Sequence, residues 1–241
     1  MDEKKELFET MPVPKALAAL AVPTIISSLI AMIYNLADTF YIGQTNDPYK
    51  VAAVSLSGTL FFMVNALSQM FGIGGGSLIS RMMGAGRTDE AKNVCAFSFY
   101  STAFIGVMCS VIFFIFSDKI LCLLGVSKNT FKYAYLYMLI VIIIGAVPSM
   151  MNTTMANILR SEGFAKNASF GLGMGGICNI VLDPVMMFVI LPKGNEIKGA
   201  ALATLISTVI SFVYMFAIFL KLRKRAYISV NIRDAVKGSK Y

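Results

Sequence analysis

The chain contains no histidine, and its four cysteines, Cys95, Cys109, Cys122 and Cys178, are scattered without a C-x-x-C pair. Those absences remove the usual zinc ligand sets and a disulfide framework. Charge is scarce as well: Asp, Glu, Lys and Arg make up 14% of the 241 residues, against about 25% in soluble domains. No metal-ligand set or nucleophile–base pair points to an enzyme. What is abundant is apolar. The class AVILMFWYC accounts for 57% of the chain, and the mean hydropathy is +0.72. Long apolar blocks alternate with short charged clusters, the pattern of an integral membrane protein.

A spanning helix needs about 20 mostly apolar residues. Six blocks qualify: 16–42, 51–79, 94–116, 133–159, 168–191 and 199–220. They lack the ten-residue alternation of barrel strands. The first block is too long for a signal peptide, and Asp2, Glu3, Glu6 and Glu9 make its leader partly acidic. The connections are short and no linker divides the chain. The fold expected is therefore all-α, a single six-helix membrane bundle over residues 1–241.

Lys and Arg placement sets the expected orientation. With the N-terminus cytoplasmic, the inner side holds Lys4, Lys5 and Lys15, then Arg81, Arg87 and Lys92, then Arg160 and Lys166, and seven tail cations from Lys221 to Lys240. The outer side keeps Lys50, Lys119, Lys128, Lys132, Lys193 and Lys198. This bias of 15 to 6 among the 21 cations puts both termini in the cytoplasm of a multi-pass protein of the cell membrane. The net charge of +8 then reads as a positive stop at the inner face, not as a nucleic-acid surface.

Several motifs are decoys. Gly171, Gly173 and Gly176 fit G-x-G-x-x-G, but they lie inside an apolar span with no preceding strand. The run Gly72, Gly74, Gly75, Gly76 lacks the Lys-Ser/Thr of a phosphate loop. On membrane helices such small residues permit close packing. Asn152-Thr153-Thr154 and Asn167-Ala168-Ser169 match a glycosylation pattern, one within a span and one at the inner face.

Of the thirteen acidic residues, only Asp38 and Asp183 lie within spans. An ionised carboxylate in hydrocarbon costs several kcal/mol, ~3 on insertion scales, so such groups face the bundle interior and mark ion or proton paths. Asp38 falls about 8 Å below the outer end of the first helix at ~1.5 Å per residue, Asp183 about 13 Å below that of the fifth, and Thr204 about 8 Å into the sixth. Tyr34 and Asp38 are spaced i,i+4, as are Asn179 and Asp183, so each pair shares a face. A phenol, a carboxamide and two carboxylates in one cluster can hold a proton between acids or offer oxygen ligands to sodium. Pro23 and Pro184 remove helical hydrogen bonds nearby, and Pro23 makes the first helix bendable.

The stretch from Pro23 to Gln44, P-x-x-I-x-x-L-I-x-x-I-Y-N-L-A-D-T-F-Y-I-G-Q, resembles the first helix of the multidrug and toxic compound extrusion (MATE) transporters. S-R-M-M-G-A-G-R-T-D-E-A (Ser80 to Ala91), N-I-L-R-S-E-G-F-A-K-N (Asn157 to Asn167), N-I-V-L-D-P (Asn179 to Pro184) and G-A-A-L-A-T-L-I-S (Gly199 to Ser207) continue the likeness in family order. The opening is similar to the bacterial branch that includes staphylococcal-type drug pumps. The resemblance implies export of amphipathic, often cationic, drug-like compounds coupled to H+ or Na+. It implies two six-helix lobes, with a coupling-ion site in the N-terminal one. By motif position Asp38, Asn179, Asp183 and Thr204 match that site and Tyr34 a supporting tyrosine. Pro23 matches a proline proposed to bend the first helix, and Asn152 and Asn157 are further polar contributors. The chain corresponds to one lobe, so the expectation is a half-transporter or a truncated product, paired with a second six-helix lobe or with its own copy. Rival readings are a lipid-linked glycan flippase of the same superfamily, which calls for more cations within the spans, and a non-transporting membrane fragment.

Overall fold

A computed structural model describes residues 10–223 and 226–240. The leader acids Asp2, Glu3, Glu6 and Glu9 and the cations Lys4, Lys5, Lys224 and Arg225 lie outside the described residues. Those described form helices and connections, with no strand among them. Helix α1 is Val13–Gly43, α2 is Pro48–Gly84, α3 is Thr88–Ile115 and α4 is the short Ser117–Leu123. Helix α5, Lys128–Tyr137, runs on as a π-helical segment, Met138–Ile144, and α6 is Ala146–Ser161. Helix α7, Ala165–Pro184, also continues as a π-helix, Val185–Ile190; α8 is Glu196–Leu222 and α9 is Ile232–Gly238.

Five of these helices are long and apolar enough to cross a bilayer, and the α5–α6 pair, bent by 49°, meets the same criterion when its two parts are taken as one span. Each expected span thus has its helix, extended by several residues at one or both ends. The bend at Gly145 was not expected. Its cause is local: Pro148 has no N–H to return to the carbonyl of Ile144, and the preceding turn has already widened to π spacing. Pro184 acts in the same way, and the α7 backbone answers it with π geometry instead of a break. Helix α1 by contrast stays continuous through Pro23.

Sequence chemistry explains the helix ends. Asp47 caps α2 by accepting the Tyr49 N–H at 3.0 Å, with Pro48 in the first turn where its missing donor costs nothing. Between α6 and α7 the chain reverses through Gly163 at φ +89°. The Gly163 and Phe164 N–H groups return to the carbonyls of Arg160 and Leu159 at 3.1 and 2.8 Å, a turn that suits a residue without Cβ.

Small residues set how closely the helices approach. A Cβ on Gly176 would lie 2.8 Å from Ile30 Cγ2, and one on Gly175 would lie 2.8 Å from Ser211 Cβ. The glycines of α7 therefore seat α1 on one side and α8 on the other. Packing divides into two apolar clusters. One gathers Ile42, Leu60, Leu121, Met138, Ile142, Met150 and Met187 near the Asp38 end. The other gathers Ile79, Cys95, Met155, Ile158, Leu159, Met215 and Phe219 near the opposite end. Near Ile42, Lys50 joins α2 to α8 through Glu196 at 3.0 Å. At the opposite end α9 lies along α3, with the Tyr100 hydroxyl donating to the Val230 carbonyl at 2.8 Å.

Candidate functional site

Four helices bring their polar side chains together in the Asp38 half of the bundle. Asp183, on the last turn of α7 before the π segment, is fully buried. One turn back, Asn179 is 2% exposed; its Nδ2 donates to Asp183 Oδ1 at 3.2 Å and to Thr204 Oγ1 of α8 at 3.3 Å. Asp38 of α1 accepts from the Tyr137 hydroxyl of α5 at 3.3 Å. That hydroxyl also has Thr204 and Asp183 as neighbours, and the charge of Asp38 reaches Asp183. The two aspartates therefore belong to one cluster, linked through Tyr137, Thr204 and Asn179, with Asp183 buried and Asp38 on a cavity wall.

Three buried acceptors in this cluster have no donor among the described residues: Asp38 Oδ1, Asn179 Oδ1 and Asp183 Oδ2. Buried acceptors are expensive to leave unmatched, about 1–3 kcal/mol each and more for charged groups. Two carboxylates and a carboxamide with spare oxygens, beside a threonine hydroxyl, suit a hard cation or a shared proton. Either would remove the cost of the two like charges.

The sequence spacing placed Asp38, Asn179, Asp183 and Thr204 in the same half of the membrane, and the structure brings all four together. Tyr34 is different. It lines the cavities beside the cluster and packs against Gly176, while the hydrogen bond to Asp38 comes from Tyr137. Sequence reasoning missed Tyr137. A signal was available: it sits four residues into the fourth apolar block, about 6 Å deep by the same helical rise used for Asp38. Asn152 and Asn157 stand apart from the aspartates. Asn152 donates to Ser211 Oγ at 2.7 Å and Asn157 to Gln69 Oε1 at 2.9 Å.

Two cavities open beside the cluster. The first, of about 480 Å³, is lined by Asp38, Tyr137, Tyr34, Phe62 and Thr204 among others. The second, of about 380 Å³, carries carboxamides from four helices, among them Asn65, Gln69, Asn152 and Asn157. Tyr34, Asn35, Phe61, Phe62 and Thr204 border both, so the two are contiguous. The second cavity also holds a residue the sequence placed at the inner face. Arg160 lies on its wall, donating to Asn157 Oδ1 at 3.3 Å and to Ser27 Oγ at 3.4 Å.

The family model described as MatE matches residues 23–185. The multidrug export protein MepA of Staphylococcus aureus (strain MSSA476) is 30% identical over 234 residues, covering 97% of this chain and 51% of that protein. MepA of Staphylococcus haemolyticus (strain JCSC1435) is 30% identical over 235 residues, with 97% and 50% covered. Among solved structures, an outward-facing multidrug resistance MATE family transporter of the MOP superfamily superposes with a TM-score of 0.85 at 28% identity. A MATE crystal structure in the straight conformation gives the same TM-score and identity. In both cases 97% of this chain and 50% of the other are covered. The chain thus spans about half the length of the curated relatives it matches.

Proposed function

This chain belongs to the MatE family, and on that premise we propose that it forms the coupling-ion lobe of a multidrug efflux transporter, a cation-driven antiporter and not an enzyme. Its substrates are drug-like amphiphiles, and its place is the cell membrane with both termini in the cytoplasm. The remaining half of the transport path comes from a second six-helix lobe or from another copy of the chain. The observation that carries this reading is the buried cluster. Asp38 and Asp183 sit on different helices, share the Tyr137–Thr204–Asn179 network, and leave three buried acceptors without a donor.

In this reading H+ or Na+ is held by Asp38, Asn179, Asp183 and Thr204. Binding it neutralises charge inside the bundle and relieves repulsion between α1 and α7. Helix α1 is the element free to respond, because of its residues only Ser27 and Ile42 are buried and Pro23 weakens its backbone ladder. A cation that binds one arrangement of α1 better than another shifts the population between outward- and inward-open states. The glycan-flippase reading is not favoured: among the residues lining the two cavities Arg160 is the one cation.

The test is export in cells or proteoliposomes carrying the complete transporter. Asp38→Asn is expected to abolish cation-driven efflux of a cationic dye while leaving protein levels near wild type. Efflux at the wild-type rate in that variant would remove the assignment.

A further inference from the structure

A groove of about 690 Å³ runs between α2 and α3 and shares no lining residue with the two cavities. Leu67 and Phe71 of α2 form one wall, and α3 forms the other from Phe97 to Ile112. Those fifteen residues of α3 cover about 22 Å at the helical rise, more than the ~15 Å of one leaflet in a ~30 Å hydrocarbon core. Phe104, Met108 and Ile112 are exposed along it. The Tyr100 hydroxyl, one of the few polar groups on the lining, is already committed to the Val230 carbonyl.

The segment after α8 closes one end of this groove. Ala235 and Gly238 are the buried residues of α9. A Cβ on Gly238 would lie 2.7 Å from Phe97 Cβ and closer still to the Asn93 carbonyl oxygen, so α9 rests directly on α3. Asn93 follows Lys92, the last charged residue of α3. Helix α9 therefore lies at the level where α3 passes from charged to apolar, the level of a membrane interface. Its outward side has two ridges. Ile232 and Val236, spaced i,i+4, are 64% and 69% exposed. Arg233 and Lys237, one residue on with the same spacing, are exposed as well, and neither pairs with a carboxylate among the described residues. The one acid of α9, Asp234, instead accepts the Ser229 hydroxyl at 2.6 Å. An apolar ridge beside a basic one suits a helix lying in the interface of an anionic membrane.

We propose that α9 and the α2–α3 groove form one binding site for an anionic phospholipid of the leaflet at the α9 end, which is the cytoplasmic leaflet in the proposed orientation. The headgroup phosphate lies at Arg233 and Lys237, Ile232 and Val236 enter the acyl boundary beside it, and one acyl chain runs along Phe104 and Met108. Charge selects the lipid class. Each cation near a membrane surface is worth about a fivefold preference for anionic lipid, whereas a zwitterionic lipid gains only the groove contacts. The site lies apart from the cavities of Asp38 and Arg160, so it does not depend on what the lobe transports.

The chain has no tryptophan, so one introduced indole reports on its own surroundings. The test places the full chain carrying Phe104→Trp in vesicles of phosphatidylcholine and phosphatidylglycerol, with brominated acyl chains on one lipid or the other. Bromine quenches the indole on contact, and the two quenching curves give the relative affinity of the lipids at the groove. Phosphatidylglycerol is expected to be favoured about tenfold, less than two full cation contributions because salt screens the surface. Adding Arg233→Gln with Lys237→Gln is expected to bring the ratio within about twofold of one. Val213→Trp, at an exposed position of α8 outside the groove, is expected to show no such preference. Equal quenching by both lipids at Phe104→Trp, an equal preference at Val213→Trp, or a preference that survives the double substitution overturns the site and leaves the exporter reading untouched. Should the double variant not fold, as judged by its thermal melt, the contrast between the two reporters decides alone.

Discussion

Helices α1 and α6 carry the two charged side chains that face the cavities, and they are held in opposite ways. Helix α1 has 31 residues, of which two are buried. Helix α6 has 16 residues, of which ten are buried. Leu29, Met32, Ile33 and Leu36 of α1 are 53–62% exposed, Met32 and Leu36 on the cavity that Asp38 lines, whereas Met150, Met155, Ile158 and Leu159 of α6 are at 0%. The two helices nevertheless meet, through Arg160 and Ser27. The difference shows how one bundle can both hold a site and move: α6 supplies a fixed wall, and α1 brings Asp38 to it on a loosely held element. A loosely held helix responds to a small change in charge, because little packing must be broken for it to shift.

That contrast is breakable by substitution. The largest stability loss is expected for Met155→Ala in α6, about 2–5 kcal/mol for a large-to-small change in a closed core, read as a fall in the thermal unfolding temperature of the purified protein. Gly176→Val comes next. Its Cβ would meet Ile30 and Tyr34 of α1 at 2.8 and 3.1 Å, so overpacking should cost about 1–3 kcal/mol and should also weaken cation binding by lifting α1 from α7. Tyr137→Phe removes the hydroxyl that donates to Asp38 and is expected to weaken cation affinity several-fold, equivalent to about 1 kcal/mol, with little change in unfolding temperature. The smallest effect is expected for Leu29→Ala, within about 0.5 kcal/mol, because an exposed side chain has no cavity to leave. A Leu29→Ala loss as large as that of Met155→Ala would show that α1 is packed as tightly as α6.

Much of this was readable from the chain alone, and the reasons are physical. Apolar run length fixes the crossings, because nothing else satisfies a backbone in hydrocarbon. The cost of a carboxylate there singled out Asp38 and Asp183, and counting residues from the helix ends placed them at comparable depth. Depth carries no rotational phase between helices, however. Tyr137 meets Asp38 across 99 residues of sequence, and nothing local to either residue reports it. Tyr34 shares a helix face with Asp38 and drew the assignment on that ground. Arg160 was counted as an inner-face cation because it follows an apolar run; which way its side chain leans depends on helix direction and on Ser27 being opposite. The bend at Gly145 lay within a single apolar block, and only Pro148 marked it.

The most direct test of the central claim, that Asp38 and Asp183 hold one cation between them, is a sodium titration of the chain in nanodiscs in weak buffer, with proton release followed by a pH dye. Each added sodium ion is expected to displace about one proton from the wild-type pair. Asp38→Asn and Asp183→Asn should each remove nearly all of that release, and the double variant should lose no more than either single one. Independent, additive losses in the two single variants would contradict a shared site and leave two separate carboxylates.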